Sequence, residues 1–216
     1  MKIRTRNAVL AALLATASAS VFAAESADLA ITGTIRPSAC NVTLSNSGEL
    51  DFGTISAQDL SATGTTKLPA RDLTMTITCD AATQSGYAIT DNRAGSVIAV
   101  SGGTPAGQLF GLGSIDSRSL GAYKISYGAA TADGANITRY LYSSNNTSWT
   151  RETGNLVVSK GYTFSWSGND QNTPTAFTSV SQTLSIEPHI NSTANLPALT
   201  TGLKLDGSAT IQVTYL

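Results

Sequence analysis

The sequence predicts an all-β protein with the architecture of a sandwich, and three observations support this. Short runs that alternate between apolar and polar residues recur along the chain, and Gly, Asn, Ser and Pro separate them. Sustained helical periodicity is absent from the sequence after the first apolar stretch. Alternation with a period of two is typical of strands with one buried face, and many short strands at a spacing of about 8–12 residues indicate a sandwich.

The first segment has the pattern of a secretory signal peptide, assigned to residues 1–23. Three basic residues stand within the first six positions, an apolar stretch covers residues 8–17, and small residues follow. Cleavage after Ala23 places small side chains at the required positions, and cleavage after Ala24 is the alternative. The apolar part is too short to span about 30 Å of hydrocarbon, which disfavours a membrane anchor.

The charge balance excludes some partners. The chain has 13 basic and 14 acidic residues, so removal of the three basic residues of the signal leaves a net acidic protein. A basic run is missing, which disfavours nucleic acid as a partner. Charged residues make up 12% of the chain, about half of the usual ~25%.

The alternating runs follow one another from the N-terminal region to the end of the chain. They cover residues 29–35, 73–79, 123–127, 137–142, 155–158, 162–166, 180–186 and 209–215. Asp133-Gly134 and Asp206-Gly207 are predicted turns, because Asp-Gly favours tight turns between strands.

Two cysteines, Cys40 and Cys79, are present. Because the chain is predicted to be exported, a disulfide between them is the default, and two free buried thiols are the alternative. The bridge would close a loop of about 40 residues and contribute roughly 4 kcal/mol to stability.

The sequence offers little support for catalysis. His189 is the single histidine, so a zinc site of the usual type has no ligand set, and no cofactor is expected. The Gly-x-Ser-x-Gly elbow and the phosphate-binding loop are both missing from the sequence. We therefore expect a protein that is not an enzyme. A carboxylate pair for glycoside hydrolysis and a sugar site built on Trp149, Trp166 and the tyrosines stay open as alternatives.

Both ends of the predicted mature chain carry a more specific pattern. Gly33 lies seven residues before Cys40 in an alternating segment, and the last segment alternates up to a penultimate Tyr215. Together with the signal peptide and the second cysteine, this resembles the pilin subunits of the chaperone–usher pathway. The resemblance covers residues 24–216.

The resemblance implies an incomplete immunoglobulin-like β-sandwich that is completed by a donor strand from another chain. Residues 24–36 would be the donor-strand extension and residues 37–216 the pilin domain. The donor face would consist of Ala27, Leu29, Ile31, Gly33 and Ile35, and the strand that lines the groove and meets the chaperone would present Ala209, Ile211, Val213, Tyr215 and Leu216.

The implied function is that of a structural subunit of a bacterial fimbria, exported through the periplasm to the cell surface to support adhesion. Its partners would be a periplasmic pilus chaperone, an outer-membrane usher and neighbouring pilin subunits. A host glycan or protein receptor is a further candidate partner. The alternatives are a carbohydrate-binding adhesin or minor tip subunit, and a secreted hydrolase. Cys40 stands too near the predicted mature N-terminus to leave room for a separate lectin domain before it.

Overall fold

The computed structural model describes residues 29–33, 39–154, 156–169, 171–199 and 202–216. The chain divides into two units, Met1–Arg36 and Pro37–Leu216. In the first unit, residues 29–33 have no regular secondary structure, and the side chains of Leu29 and Ile31 are 85% and 89% exposed. The signal peptide, Ala24, Ala27 and Ile35 lie outside the described residues, as do the ends of the predicted donor extension.

The second unit is built from β-strands and short 3₁₀ turns, which confirms the predicted all-β class. The strands are β1 (Cys40–Leu44), β2 (Thr66–Lys67), β3 (Arg71–Asp91), β4 (Phe110–Gly111), β5 (Ser114–Ile115), β6 (Arg118–Ser119), β7 (Gly121–Ala132), β8 (Ala135–Ile137), β9 (Arg139–Ser143), β10 (Thr150–Arg151), β11 (Thr163–Ser167), β12 (Ala176–Ile190) and β13 (Ala209–Tyr215). Within the described residues, no helix is long and apolar enough to cross a membrane.

The long strand β3 belongs to both halves of a curled antiparallel sheet. Its first half pairs with β1 on one side and with β12 on the other, and β12 continues to β7, β4 and β8. Its second half pairs with β13 on one side and with β11 on the other, and β11 continues to β9 and β10. As a result, β1 and β13 stand at the edges of the two halves, both beside β3.

The core lies where the two halves pack face to face, as in an immunoglobulin-like sandwich. Tyr127 of β7 lies 5.6 Å from Phe164 of β11 and 5.2 Å from Tyr140 of β9, measured between ring centroids. Met75 and Ile77 of β3 are each 1% exposed. The alternation predicted for residues 73–79 therefore places these side chains in the core.

Two local predictions are wrong and one is confirmed. Asp133 and Gly134 form the predicted turn between β7 and β8, with φ values of 48° and 82° that suit a type I′ hairpin. Within the predicted strand 155–158, the described residues 156–158 form only an isolated bridge to β7, between Val157 and Ser126, and not a strand. Asp206 is not in a turn: its N–H donates to the carbonyl oxygen of Leu112, and the chain there is held against the core.

Candidate functional site

The strand β1 presents one edge of its backbone to β3 and the other edge away from it. Asp80 donates its N–H to the carbonyl oxygen of Ala39, which fixes the odd-numbered residues of β1 as the ones bonded to β3. In an antiparallel ladder the alternate residues point their backbone groups to the opposite side. The N–H and C=O groups of Val42 and Leu44 and the C=O group of Cys40 therefore lie on an edge that pairs with no strand among the described residues.

The strand β13 has the same arrangement. Asn92 donates to Ser208 at 3.0 Å and Leu216 donates to Gln84 at 3.1 Å, so the even-numbered residues of β13 are bonded to β3. The backbone groups of the odd-numbered residues therefore point away from β3. Within the described residues, β13 pairs with β3 alone, which leaves this second edge open.

The two open edges flank an apolar groove with a volume of about 310 Å³. Its floor comes from strands of both halves of the sheet, and its walls come from the segments that follow β1 and include the start of β13. The residues that line it are Leu44, Gly48, Leu50, Phe52, Leu73, Ile89, Leu112, Tyr123, Ile125, Leu184, Ile186, Pro188, Leu205, Gly207, Ser208, Ala209 and Ile211.

A turn after β1 creates the first wall. Asn46, Ser47 and Gly48 have φ values of 50°, 55° and 79°, three left-handed conformations in sequence that end the pairing of β1 with β3. Beyond the turn the chain passes along the groove and contributes Leu50 and Phe52. The guanidinium carbon of Arg71 lies 5.4 Å from the centroid of the Phe52 ring, which helps to hold this wall.

A salt bridge and a backbone hydrogen bond fix the second wall. Arg93, just after β3, donates to both carboxylate oxygens of Asp206 at 2.9 and 3.0 Å. This pairing lowers the pKa of Asp206, because the guanidinium stabilises the ionised carboxylate. The segment before β13 is therefore held extended beside the core, with Leu205 and Gly207 facing the groove.

A second apolar cavity of about 180 Å³ continues the groove at the end away from the disulfide. Leu205 lines both cavities, while Ile55, Leu60 and Leu203 line the second alone. Along this wall, every second residue from Leu203 to Ile211 lines one of the two cavities. The groove therefore offers a continuous row of apolar positions to an extended chain.

The other end of the groove is closed. Cys40 and Cys79 are joined by a disulfide, which confirms the predicted pairing. Tyr215 extends its side chain from β13 to β1, where its hydroxyl oxygen accepts the N–H of Cys40 at 2.8 Å. This hydrogen bond links the two free edges directly.

The residues predicted to line the groove from the last strand differ in how exposed their side chains are. Ile211 and Val213 are half-buried, as is Ala209, whereas Tyr215 is 54% exposed around its bonded hydroxyl. Leu216 donates its N–H to Gln84 and so extends the pairing of β13. A Cβ added at Gly33 would meet no atom within 4 Å, so the structure attaches no steric requirement to this glycine.

No local pattern in the sequence identifies the floor of the groove. Leu73, Ile89, Ile125 and Leu184 come from strands that are distant in sequence. Their alternation marks them as inward-facing, but the same signal marks every other core residue of those strands. Only the position of the two unpaired edges distinguishes the groove from the closed part of the core.

His189 does not form a metal site with other residues. It lies on β12, is 5% exposed and has its Nε2 atom 3.0 Å from a carboxylate oxygen of Glu187. In the part of the chain that the structure describes, no group of three or more His, Cys, Asp or Glu side chains is arranged to hold a metal ion.

These features define a class of protein: an immunoglobulin-like β-sandwich with an apolar groove between two open strand edges. The chain belongs to the family "Protein of unknown function (DUF1120)", whose model matches residues 29–141, just over half of the sequence. It is also 28% identical to the uncharacterized protein YhcF of Escherichia coli (strain K12) over 91% of this chain and 93% of the relative. It is 28% identical to the protein GltF of the same organism over 97% of each chain.

Proposed function

We propose that this protein is a structural subunit of a bacterial surface fibre, with no enzymatic role. Each subunit would receive the N-terminal segment of a neighbouring copy in its groove. A periplasmic chaperone would supply a temporary strand before assembly at an outer-membrane usher. The observation that carries this proposal is the pair of open strand edges on either side of an apolar groove.

The outward-facing backbone N–H and C=O groups of β13 pair with no strand among the described residues. An exposed strand edge beside an apolar surface is a template for another strand, and natural proteins normally protect it. A strand added to the free edge of β13 would gain main-chain hydrogen bonds there, and its alternate side chains would enter the groove. The most direct occupant of such a groove is therefore an extended segment with one apolar face.

The N-terminal segment of the chain has this character. Ala27, Leu29, Ile31, Gly33 and Ile35 alternate with polar or small residues. The exposure of Leu29 and Ile31 means that burial in a partner would remove their apolar surface from water, worth about 1.5–3 kcal/mol for each. Nine residues of strand span roughly 30 Å. The wall from Leu203 to Val213 covers a similar length, so segment and groove match in extent.

A pair of complementary variants tests this proposal. Ile31→Asp should disable the donor segment and leave the groove intact, whereas Ile211→Asp should place a charge in the groove and leave the donor segment intact. Neither variant alone should form fibres in cells that supply the chaperone and usher. Mixed together, they should form a complex that contains one copy of each. The intact donor segment of the Ile211→Asp variant can enter the intact groove of the Ile31→Asp variant.

The matched control is Gln212→Asp, one position along β13, where the side chain is exposed. This variant should assemble like the wild type. Size-exclusion chromatography and electron microscopy measure the outcome. Normal fibres from either single variant, or no complex in the mixture of two folded variants, would contradict the proposal.

A further inference from the structure

The hydroxyl of Tyr215 occupies a hydrogen-bonding position that belongs to the free edge of β1. Cys40 points its N–H away from β3, toward the side where an added strand would lie. In the structure this N–H donates to the Tyr215 hydroxyl at 2.8 Å. The hydroxyl oxygen therefore takes the place that a backbone carbonyl of an incoming strand would take.

The spacing of the strands at this end supports the same interpretation. Some Cα atoms of β1 and β13 lie within 8 Å of each other. A strand inserted between two others needs about 9.5 Å between them, since neighbouring strands are about 4.8 Å apart. Cys40 and Tyr215 pair with Cys79 and Ser85, the positions of β3 at which the two edge strands come nearest to each other. The close approach therefore lies at the end that Tyr215 bridges, and it leaves too little room there for an inserted strand.

The opposite end of the groove has no such bridge among the described residues. Along Leu44 and Ile211 the groove widens into the cavity of about 310 Å³, and it continues past Leu205 to the second cavity. An extended chain therefore has room along this length and meets an obstacle only where Tyr215 crosses to Cys40.

From these contacts we infer that Tyr215 is a positioning residue that fixes the register of the occupant. An inserted strand pairs with β1 from Val42 onward, and the tyrosine hydroxyl stops it before Cys40. A slip of one residue would turn every apolar side chain of the strand out of the groove, so a fixed stop protects the correct pairing. This inference rests on the proposed function, because it concerns the strand that fills the groove.

Tyr215→Phe tests the inference, because it removes the hydroxyl and keeps the ring. The full chain carries Ile31→Asp as a common background, so that it cannot act as a donor, and a synthetic peptide of residues 24–35 serves as the occupant. Tyr162→Phe is the matched control, since Tyr162 is another partly exposed tyrosine and does not line the groove. Backbone amide hydrogen exchange, resolved by NMR, is the measurement.

Without peptide, the Cys40 amide should exchange about tenfold faster in Tyr215→Phe than in the Tyr162→Phe control, as expected for the loss of one hydrogen bond. With peptide, the control should gain protection at the amides of Val42 and Leu44. The protected segment of the peptide should end before the position that faces Cys40. In Tyr215→Phe, the bound peptide should protect the Cys40 amide as well, and the protected peptide segment should lengthen or shift.

Equal exchange at Cys40 in both variants, or an identical set of protected peptide amides, would contradict the inference that Tyr215 ends the pairing of the inserted strand. A peptide that fails to bind the control variant would instead contradict the proposed function, and with it the role inferred for Tyr215. The two failures are therefore distinguishable in one experiment.

Discussion

Glu187 lies on β12 beside three groups that stabilise its negative charge. Its carboxylate oxygens lie 2.7 Å from the Nζ atom of Lys67, 2.9 Å from that of Lys124 and 3.0 Å from Nε2 of His189. Burial alone would raise the pKa of Glu187, but the hydrogen bonds from these groups lower it to about 2. The carboxylate therefore connects β2, β7 and β12 on one half of the sheet.

This arrangement predicts a pH-dependent contribution to stability. A carboxyl with a lowered pKa stabilises the folded state above the pKa of the unfolded chain, near 4.5 for Glu187, and loses that contribution as the pH falls toward 2. Glu187→Gln should cost about 1–2 kcal/mol at pH 7, a value reduced because Lys67 is largely exposed to solvent. The difference from the wild type should shrink below about pH 4.5.

Urea unfolding at a series of pH values measures this difference in the free energy of unfolding. Glu49→Gln is the control, because Glu49 is an exposed carboxylate in the segment after β1. A constant gap between Glu187→Gln and the wild type from pH 7 to pH 3 would contradict the interpretation.

Gly111 is required by close packing on β4. A Cβ at this position would overlap the carbonyl oxygen of Arg93 and the hydroxyl of Ser96, while the N–H of Gly111 donates to Asp91 at 3.1 Å. Gly111→Ala should therefore cost about 1–3 kcal/mol, as expected for overpacking. Gly107→Ala is the control, since a Cβ there would meet no atom within 4 Å. Thermal unfolding of both variants provides the comparison, and equal melting temperatures would refute the packing argument.

At the scale of the element, alternation in the sequence predicted strands correctly where the fold supplies a partner edge. Residues 209–215 alternate in sequence and form β13, and residues 73–79 form the first half of β3. A strand is also predicted for residues 155–158, but β7 offers the described residues 156–158 only a short stretch of edge between its pairings with β4 and β8. A strand needs a partner edge of sufficient length, and a single segment of sequence does not reveal that length.

The same limit explains the error at Asp206-Gly207. The Asp-Gly pair favours a tight turn locally. In the structure, the salt bridge to Arg93 and the hydrogen bond to Leu112 hold the segment extended against the core. Both partners lie about a hundred residues away in the chain, and so the local turn preference is overridden by contacts that only the folded molecule supplies.

At the scale of the whole molecule, the sequence predicted the class and the disulfide but only one wall of the groove. The Cys40–Cys79 pairing follows from two cysteines in a chain predicted to be exported, and β13 follows from its own alternation. The floor at Leu73, Ile89 and Leu184 depends on how β3 passes from one half of the sheet to the other. That path is a property of the sandwich, which no local pattern encodes.

An unfilled groove has a consequence for the stability of the whole domain. A ligand that binds only the folded state raises its apparent stability, by about 2.7 kcal/mol when the free ligand is at a hundred times its dissociation constant. The peptide of residues 24–35 should therefore raise the melting temperature of the chain that carries Ile31→Asp, in proportion to the logarithm of the peptide concentration. It should also reduce aggregation, because it covers apolar surface and unpaired strand edges.

The control is the same peptide with Ile31→Asp, which keeps the length and backbone of the segment and removes one apolar side chain. It should leave the melting temperature unchanged at the concentrations where the natural peptide acts. Scanning calorimetry over a range of peptide concentrations measures both. If the isolated chain melts at the same temperature with and without the natural peptide, the groove is already complete within the folded domain, and a strand from a second copy has no place to bind.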